Sequence, residues 1–222
     1  MRVAVLIPAQ NEAASLGETL ARVAAALPQA DLHVVDDHST DATAVLATRA
    51  GATVLRPSGT GYAAALATGY RHLLPRGYDA VVQLDADGQH PPESAPDLLG
   101  GLLGADWVVG SRQGTVSPAP LTRRAGNALL SASVRLAGVD QADVTSGYWC
   151  LGPTAQALCA AEFPVGVADA NVRVWATRRG LRLREVPVAM AERSAGTSMH
   201  GGLRGVRNLG RSLVAVWSAT RV

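Results

Sequence analysis

The chain has 222 residues, 48% of them apolar, and a formal charge of +2; it can bury one sizeable core and is neither a disordered segment nor a polybasic nucleic-acid binder. Two cysteines, Cys150 and Cys159, exclude a disulfide framework and, with no His/Cys ligand spacing around them, read as small buried hydrophobes in a reducing compartment. The charge is unevenly spread: residues 1–110 carry 12 acids against 6 arginines, residues 111–222 carry 6 acids against 14, and lysine is absent, which suggests a cation-seeking first half and an anion-seeking second half.

The opening run MRVAVLIPA ends at Pro8 and is followed by charge, so it reads as a strand and not as a signal peptide. No stretch of about 18 apolar residues occurs, and no transmembrane helix is expected. Val-rich runs then recur at 2–8, 32–37, 53–57, 80–87 and 106–112. They lack period-2 alternation, as strands covered on both faces do. Helical runs fill the gaps: residues 12–27, with Leu16, Leu20, Val23 and Leu27 at helical spacing, then 41–50, 61–74 and 92–103. This alternation predicts an α/β fold, a Rossmann-like, mostly parallel sheet with helices on both faces. Farther on, 121–138 reads as a helix, TSGYWCLGP (145–153) as a strand with a glycine turn, 169–180 as a helix stopped by Gly180, and 181–193 as a strand. No linker separates the halves, so one domain over 1–202 is expected, followed by a tail at 203–222.

Ligands of an open parallel sheet bind beyond the carboxyl ends of its strands. Three of the predicted strands end in polar groups there: Pro8 followed by Asn11 and Glu12, then Asp36 and Asp37, then Asp85 and Asp87. Asp85 and Asp87 lie two apart, on one face of a continuing strand. Two carboxylates so close repel unless a cation sits between them. Mg²⁺ or Mn²⁺ suits them, with substrate phosphates completing the shell and Gln89 adding an amide oxygen. The alternative, Asp85 as a helix cap and Asp87–Gly88 as a turn, stands beside it. Asp37 is placed to accept hydrogen bonds from a nucleobase or ribose, and Asp41 to cap the next helix. Other chemistries find little support. Without lysine there is no Walker P-loop; there is no G-x-S-x-G elbow and no H-E-x-x-H; GTGYAA (59–64) imitates a dinucleotide fingerprint but follows the third strand.

LIPAQNEAASL, VVDDHSTDAT, QLDADGQHPPE, VVGSR and EVPV, in this order within residues 3–199, together resemble the family 2 glycosyltransferases of GT-A fold. The closer resemblance is to the dolichol- and polyprenyl-phosphate sugar synthases. The resemblance implies that Pro8, Asn11, Glu12, Asp37 and Ala86 help to bind a GDP- or UDP-sugar, and that Asp85, Asp87 and Gln89 hold Mg²⁺ or Mn²⁺ against its diphosphate. It implies that Arg112 and Arg124 lie near the acceptor phosphate and that Arg193 sits on a loop closing over the donor. Asp87, Asp169 and Arg193 become the catalytic candidates, with Asp143 a weaker one for the base. Thr60 stands where many relatives have the lysine of G-K-G. The implied activity is inverting, metal-dependent hexosyl transfer to a polyprenyl phosphate; a soluble small-molecule acceptor is the alternative. A sugar-nucleotide binding module without catalysis and a nucleotidyl transferase are the competing classes.

In the tail, Arg204, Arg207 and Arg211 fall opposite Val206, Leu209, Leu213 and Trp217 on a helical projection. Two readings stand: an interfacial helix on a membrane surface, or a helix packing its apolar stripe on the sheet. The expected location is cytoplasmic, peripheral on the inner face of the membrane.

Overall fold

A computed structural model describes residues 1–112, 121–164, 166, 168, 170–191 and 202–220, without the side chains of 121–125 and 202–208. Seven strands form one sheet: β1 (Val3–Ala9), β2 (Asp31–Asp36), β3 (Thr53–Leu55), β4 (Ala80–Gln83), β5 (Trp107–Ser111), β6 (Trp149–Leu151) and β7 (Leu183–Pro187). The order is β3-β2-β1-β4-β6-β5-β7. Only β6 runs against its neighbours; it pairs antiparallel with both β4 and β5. The mostly parallel expectation is therefore met, with one reversal that residue spacing does not encode.

Among the described residues, eight α-helices accompany the sheet: α1 (Leu16–Ala26), α2 (Thr43–Arg49), α3 (Tyr62–Leu73), α4 (Ala95–Gly101), α5 (Leu121–Leu136), α6 (Pro153–Glu162), α7 (Asn171–Arg178) and α8 (Gly202–Ala219). β1 shows why both layers are needed. Ala4 and Leu6 enter one apolar cluster with α3, α6 and α7, while Val3, Val5 and Ile7 enter a second with α1, α2 and α4. Burial on both faces is what its unbroken apolar run records. The α3 side packs closely: a Cβ on Gly69 would lie 2.5 Å from Leu6 Cδ1, so a larger residue fits only if the buried Leu6 side chain gives way.

Three expectations are corrected. The strand predicted over 80–87 stops at Gln83; Leu84 N donates to Leu6 O at 3.2 Å, after which the chain turns. Helix α6 was not anticipated, because Gly152-Pro153 read as a turn when Pro153 is instead the first helical residue, a position where its missing N–H costs nothing. The strand predicted over 181–193 ends at Pro187. Cys150 and Cys159 are buried and unbridged, as expected.

The tail helix α8 packs against α7 and α5. Leu209 and Leu213 lie against the core, and Val216 and Ala219 belong to it. Trp217, expected on the same face, is half exposed, as are or more so Val214 on α8 and Leu129 and Leu136 on α5. Among the described residues, no helix is long and apolar enough to cross a membrane.

Candidate functional site

The chain builds β1, β2 and β3 outward to one side and then returns to place β4 on the other side of β1. The carboxyl end of β1/β4 is thus the topological switch point, where such sheets leave a crevice. Pro8 belongs here for a physical reason. β4 pairs with β1 only as far as Leu6, and the backbone of residue 8 faces that same side, beyond the end of β4. A proline there loses no ladder bond.

Asn11, φ 55°, leads the chain out of β1 in the left-handed region, which asparagine tolerates better than most residues. Its Oδ1 accepts from Thr40 N at 2.8 Å and its own N donates to Ser39 Oγ at 2.9 Å. Glu12 N donates to Thr43 Oγ1 at 2.9 Å, and Glu12 Oε2 accepts from Ser15 Oγ at 2.9 Å. The loops after β1 and β2 are thereby stitched into one rim. Asp41 completes it, accepting from Ala13 N at 3.1 Å and from Thr43 N, at the start of α2, at 2.9 Å. The N-cap of α2 is Ala42 and not Asp41 as expected; Asp41 holds the Thr43 N–H from one residue earlier, and the bond from the Thr43 hydroxyl, ahead of these backbone bonds, keeps its carboxyl below the usual range.

Asp37 is buried. Its Oδ2 accepts from Gly61 N at 2.7 Å, its Oδ1 lies 3.2 Å from His38 Nδ1, and its carbonyl accepts from Gln10 Nε2 at 2.9 Å. It therefore anchors the GTGYAA loop beside the crevice. Asp36 Oδ1 caps Ser39 N at 3.1 Å, and Oδ2 pairs with Arg56 at 3.1 Å.

Asp85 and Asp87 follow β4 by two and four residues. They do not share a strand face, because the strand has ended. Asp85 leaves the sheet with its side chain one-third exposed. Asp87 is buried and accepts from Gln89 N at 3.0 Å, in a turn completed by Gly88 at φ 78°. The turn geometry weighed against a metal site is present, and it leaves both carboxylates at the switch point. Ala86 between them is buried, and its carbonyl accepts from Thr19 Oγ1 of α1 at 3.1 Å. Gln89 is half-buried, and its carbonyl receives Ala191 N at 3.0 Å. Among the described residues no three His, Cys, Asp or Glu side chains gather into a metal cage. Two acceptor-only carboxylates fit a hard cation whose remaining shell comes from phosphates and water, the usual manner of Mg²⁺ binding.

Several residues that shape this point were missed from the sequence. His90 Nδ1 accepts from Asp85 N at 2.9 Å, which puts the ring proton on Nε2; the ring stacks on Tyr148, centroids 5.2 Å apart. Tyr62 Oη donates to Asp85 Oδ1 at 3.1 Å. Burial first, then the Asp85 carboxylate, pushes the Tyr62 phenol well above its ordinary pKa. Gln83, wholly buried in β4, donates to Tyr62 Oη at 3.0 Å and to Gly147 O at 2.8 Å. Arg173 of α7, 1% exposed, braces the same loop by donating to Ser146 O at 2.6 Å; its guanidinium lies 4.9 Å from the Trp149 ring centroid. The available signal was Gln83, a lone amide in an apolar strand.

On the other side of the crevice, Arg112 leaves β5 and forks onto Asp143, with Nε to Oδ2 and Nη2 to Oδ1 both at 2.7 Å, and Nη2 also reaches Thr145 Oγ1 at 2.6 Å. Glu185 of β7 holds the Asp143 amide at 2.8 Å. Burial pushes the Asp143 carboxyl up, but Arg112 outweighs it and keeps the group below its usual value. Asp143 is thus occupied as a partner of Arg112, which disfavours it as a base. Asp169 and Arg193 lie outside the described residues, and so does the side chain of Arg124, which α5 carries.

Residues 4–145 match the family model described as glycosyl transferase family 2. The whole chain aligns with 98% of an undecaprenyl-phosphate mannosyltransferase of Micrococcus luteus at 37% identity. At 33% identity, 90% of the chain covers 82% of a polyprenol monophosphomannose synthase of Mycolicibacterium smegmatis. Among solved structures, glucosyl-3-phosphoglycerate synthase of Mycobacterium tuberculosis with Mn²⁺, uridine diphosphate and phosphoglyceric acid superposes with a TM-score of 0.70. That match has 21% identity and covers 99% of this chain and 78% of the other. This last likeness concerns the fold, and it agrees with the expected GT-A architecture.

Proposed function

The chain belongs to glycosyl transferase family 2, and on that premise we propose that it moves a hexose from a nucleotide-diphosphate sugar to a polyprenyl-type phosphate with inversion. The likeness along nearly the whole chain to two mannosyl-transferring enzymes of polyprenyl phosphates carries this reading. An acceptor phosphate oxygen attacks the anomeric carbon. The bond from that carbon to the donor diphosphate breaks, and its electron pair leaves with the nucleoside diphosphate. The attacking oxygen is already anionic at neutral pH, so no strong base is required.

Asp85 and Asp87, with Gln89 beside them, would hold Mg²⁺ or Mn²⁺. When bound, such a cation takes up negative charge developing on the leaving diphosphate. Pro8, Asn11, Glu12 and Asp37 form the rim that receives the nucleoside, and the backbone at Ala86 keeps the two carboxylates apart. Arg112, fixed on Asp143, shapes the acceptor side. Arg124 and Arg193 are assigned to the acceptor phosphate and to closure over the donor, and Asp169 to the sugar. An Arg–phosphate fork suits this work. The exposed apolar side chains of α5 and α8, Leu129, Leu136, Val214 and Trp217, would meet the surface of the membrane in which a polyprenyl chain resides.

The test supplies the purified protein with Mn²⁺, radiolabelled GDP-mannose or UDP-glucose, and a short polyprenyl phosphate. Label passing into the organic phase in an acid-labile form is expected. Label that moves only to a water-soluble acceptor, or to none, contradicts the assignment.

A further inference from the structure

Beneath the two aspartates runs a chain of hydrogen bonds whose direction is fixed by one carbonyl. Gly147 O can only accept, so the Gln83 atom facing it at 2.8 Å must be the amide nitrogen. The Gln83 oxygen therefore points the other way and accepts from the Tyr70 hydroxyl. The second Gln83 N–H donates to Tyr62 Oη at 3.0 Å, which leaves the Tyr62 proton to go to Asp85 Oδ1 at 3.1 Å. From Tyr70 through Gln83 to Tyr62, one donor of each residue points toward the carboxylate. Such bonds polarise one another in the same sense.

The chain is costly to build. Gln83 is 0% exposed in a central strand of an otherwise apolar core, where an amide is tolerated only with partners. The loop after α5 is drawn in to meet it: a Cβ on Gly147 would sit 2.7 Å from Tyr62 Oη and 3.3 Å from Asp85 Oδ2. Arg173 and the Trp149 indole both donate to Ser146 O at 2.6 Å and hold this loop against the network.

We infer that Tyr62, set by Gln83, is a positioning residue that aims the Asp85 carboxylate at the divalent cation. This rests on the metal-dependent reading above and adds the residue that orients one ligand. A hydrogen-bonded partner behind a metal ligand is commonly worth about tenfold or more in metal affinity. The hydroxyl engages Asp85 Oδ1 and so restricts the rotation of the carboxylate.

The experiment measures Mn²⁺ binding in the presence of UDP or GDP, by the electron paramagnetic resonance signal of free Mn²⁺, beside thermal melting. Tyr62→Phe removes one hydroxyl and little volume. Tyr70→Phe removes a hydroxyl from the far end of the same network and controls for loosening of the core. The expected result is a rise of about tenfold in the Mn²⁺ Kd for Tyr62→Phe, with a much smaller change for Tyr70→Phe at a comparable melting temperature. A Tyr62→Phe Kd within twofold of the parent, or equal weakening by both variants, overturns the inference while the metal reading stands. Absence of nucleotide-dependent Mn²⁺ binding by the unaltered protein overturns both.

Discussion

Gly147→Ala puts a methyl group where the loop presses on the site. Its carbon would meet Tyr62 Oη at 2.7 Å, inside contact distance, and Asp85 Oδ2 at 3.3 Å. The phenol is tied at both ends, to Gln83 and Asp85, and its ring packs on the core, so it cannot swing away cheaply. Overpacking of this kind costs about 1–3 kcal/mol, and displacing the hydroxyl loses one or two hydrogen bonds of about 1 kcal/mol each. The expected loss is about 2–5 kcal/mol, or roughly 4–20 °C of melting temperature for a chain this long. Tyr62→Phe removes the atom that clashes. The nearest remaining contact is then Asp85 Oδ2 at 3.3 Å, still close but relieved by a shift of a few tenths of an ångström, so the same substitution in the Tyr62→Phe background should cost about 1 kcal/mol. Urea unfolding of the four proteins closes the cycle, and a coupling of about 1–4 kcal/mol is expected. Equal costs in the two backgrounds would refute the claim that the loop is seated against this hydroxyl.

Arg112→Ala should destabilise by about 3–5 kcal/mol, since it strands the buried Asp143 carboxylate; urea midpoints read this, and a loss below 1 kcal/mol denies the pair its anchoring role. His33 is buried between His72 and Tyr78, and burial, then the charge on His72, pushes its imidazole down to about 4. Its folded pKa lies below the unfolded value of about 6.5, so stability is complete above pH 6.5 and falls by about 3 kcal/mol on the way to pH 4. The same titration of His33→Phe should show a shallower fall; an unchanged profile would place the acid sensitivity elsewhere. Val214→Ser with Leu136→Ser should reduce co-sedimentation with anionic vesicles several-fold and change melting little, because both side chains are more than two-thirds exposed; equal sedimentation denies the membrane role of this face.

The strand–helix order of the first 112 residues was legible because burial on both faces leaves uninterrupted Val-rich runs, as in β1 and β2. The carboxylates at strand ends were legible for the same reason, as charge marks where the core stops. Other features depend on what the chain meets in space. The end of β4 at Gln83 is set by the reach of its pairing with Leu6, and nothing in the run QLDAD marks it. The reversal of β6 has no local signature in three residues. Helix α6 was hidden because TSGYWCLGP was read through to Pro153 as a strand with a glycine turn, whereas Pro153 starts the helix. The pairing of Arg112 with Asp143, 31 residues away, has no mark in the sequence. Gln83 was visible as an oddity, but its partners come from α3 and from the loop before β6.

The central claim is that Asp85 and Asp87, brought to the β1/β4 crevice, join a divalent cation to a nucleoside diphosphate. Calorimetric titration of UDP and GDP into the protein, with Mn²⁺ and with a chelator, tests it directly when repeated on Asp85→Asn and Asp87→Asn. Mn²⁺-dependent binding of at least one diphosphate is expected, weakened at least about tenfold by the chelator and by either substitution, in proteins that melt normally. Diphosphate affinity indifferent to chelator and to both substitutions would contradict it.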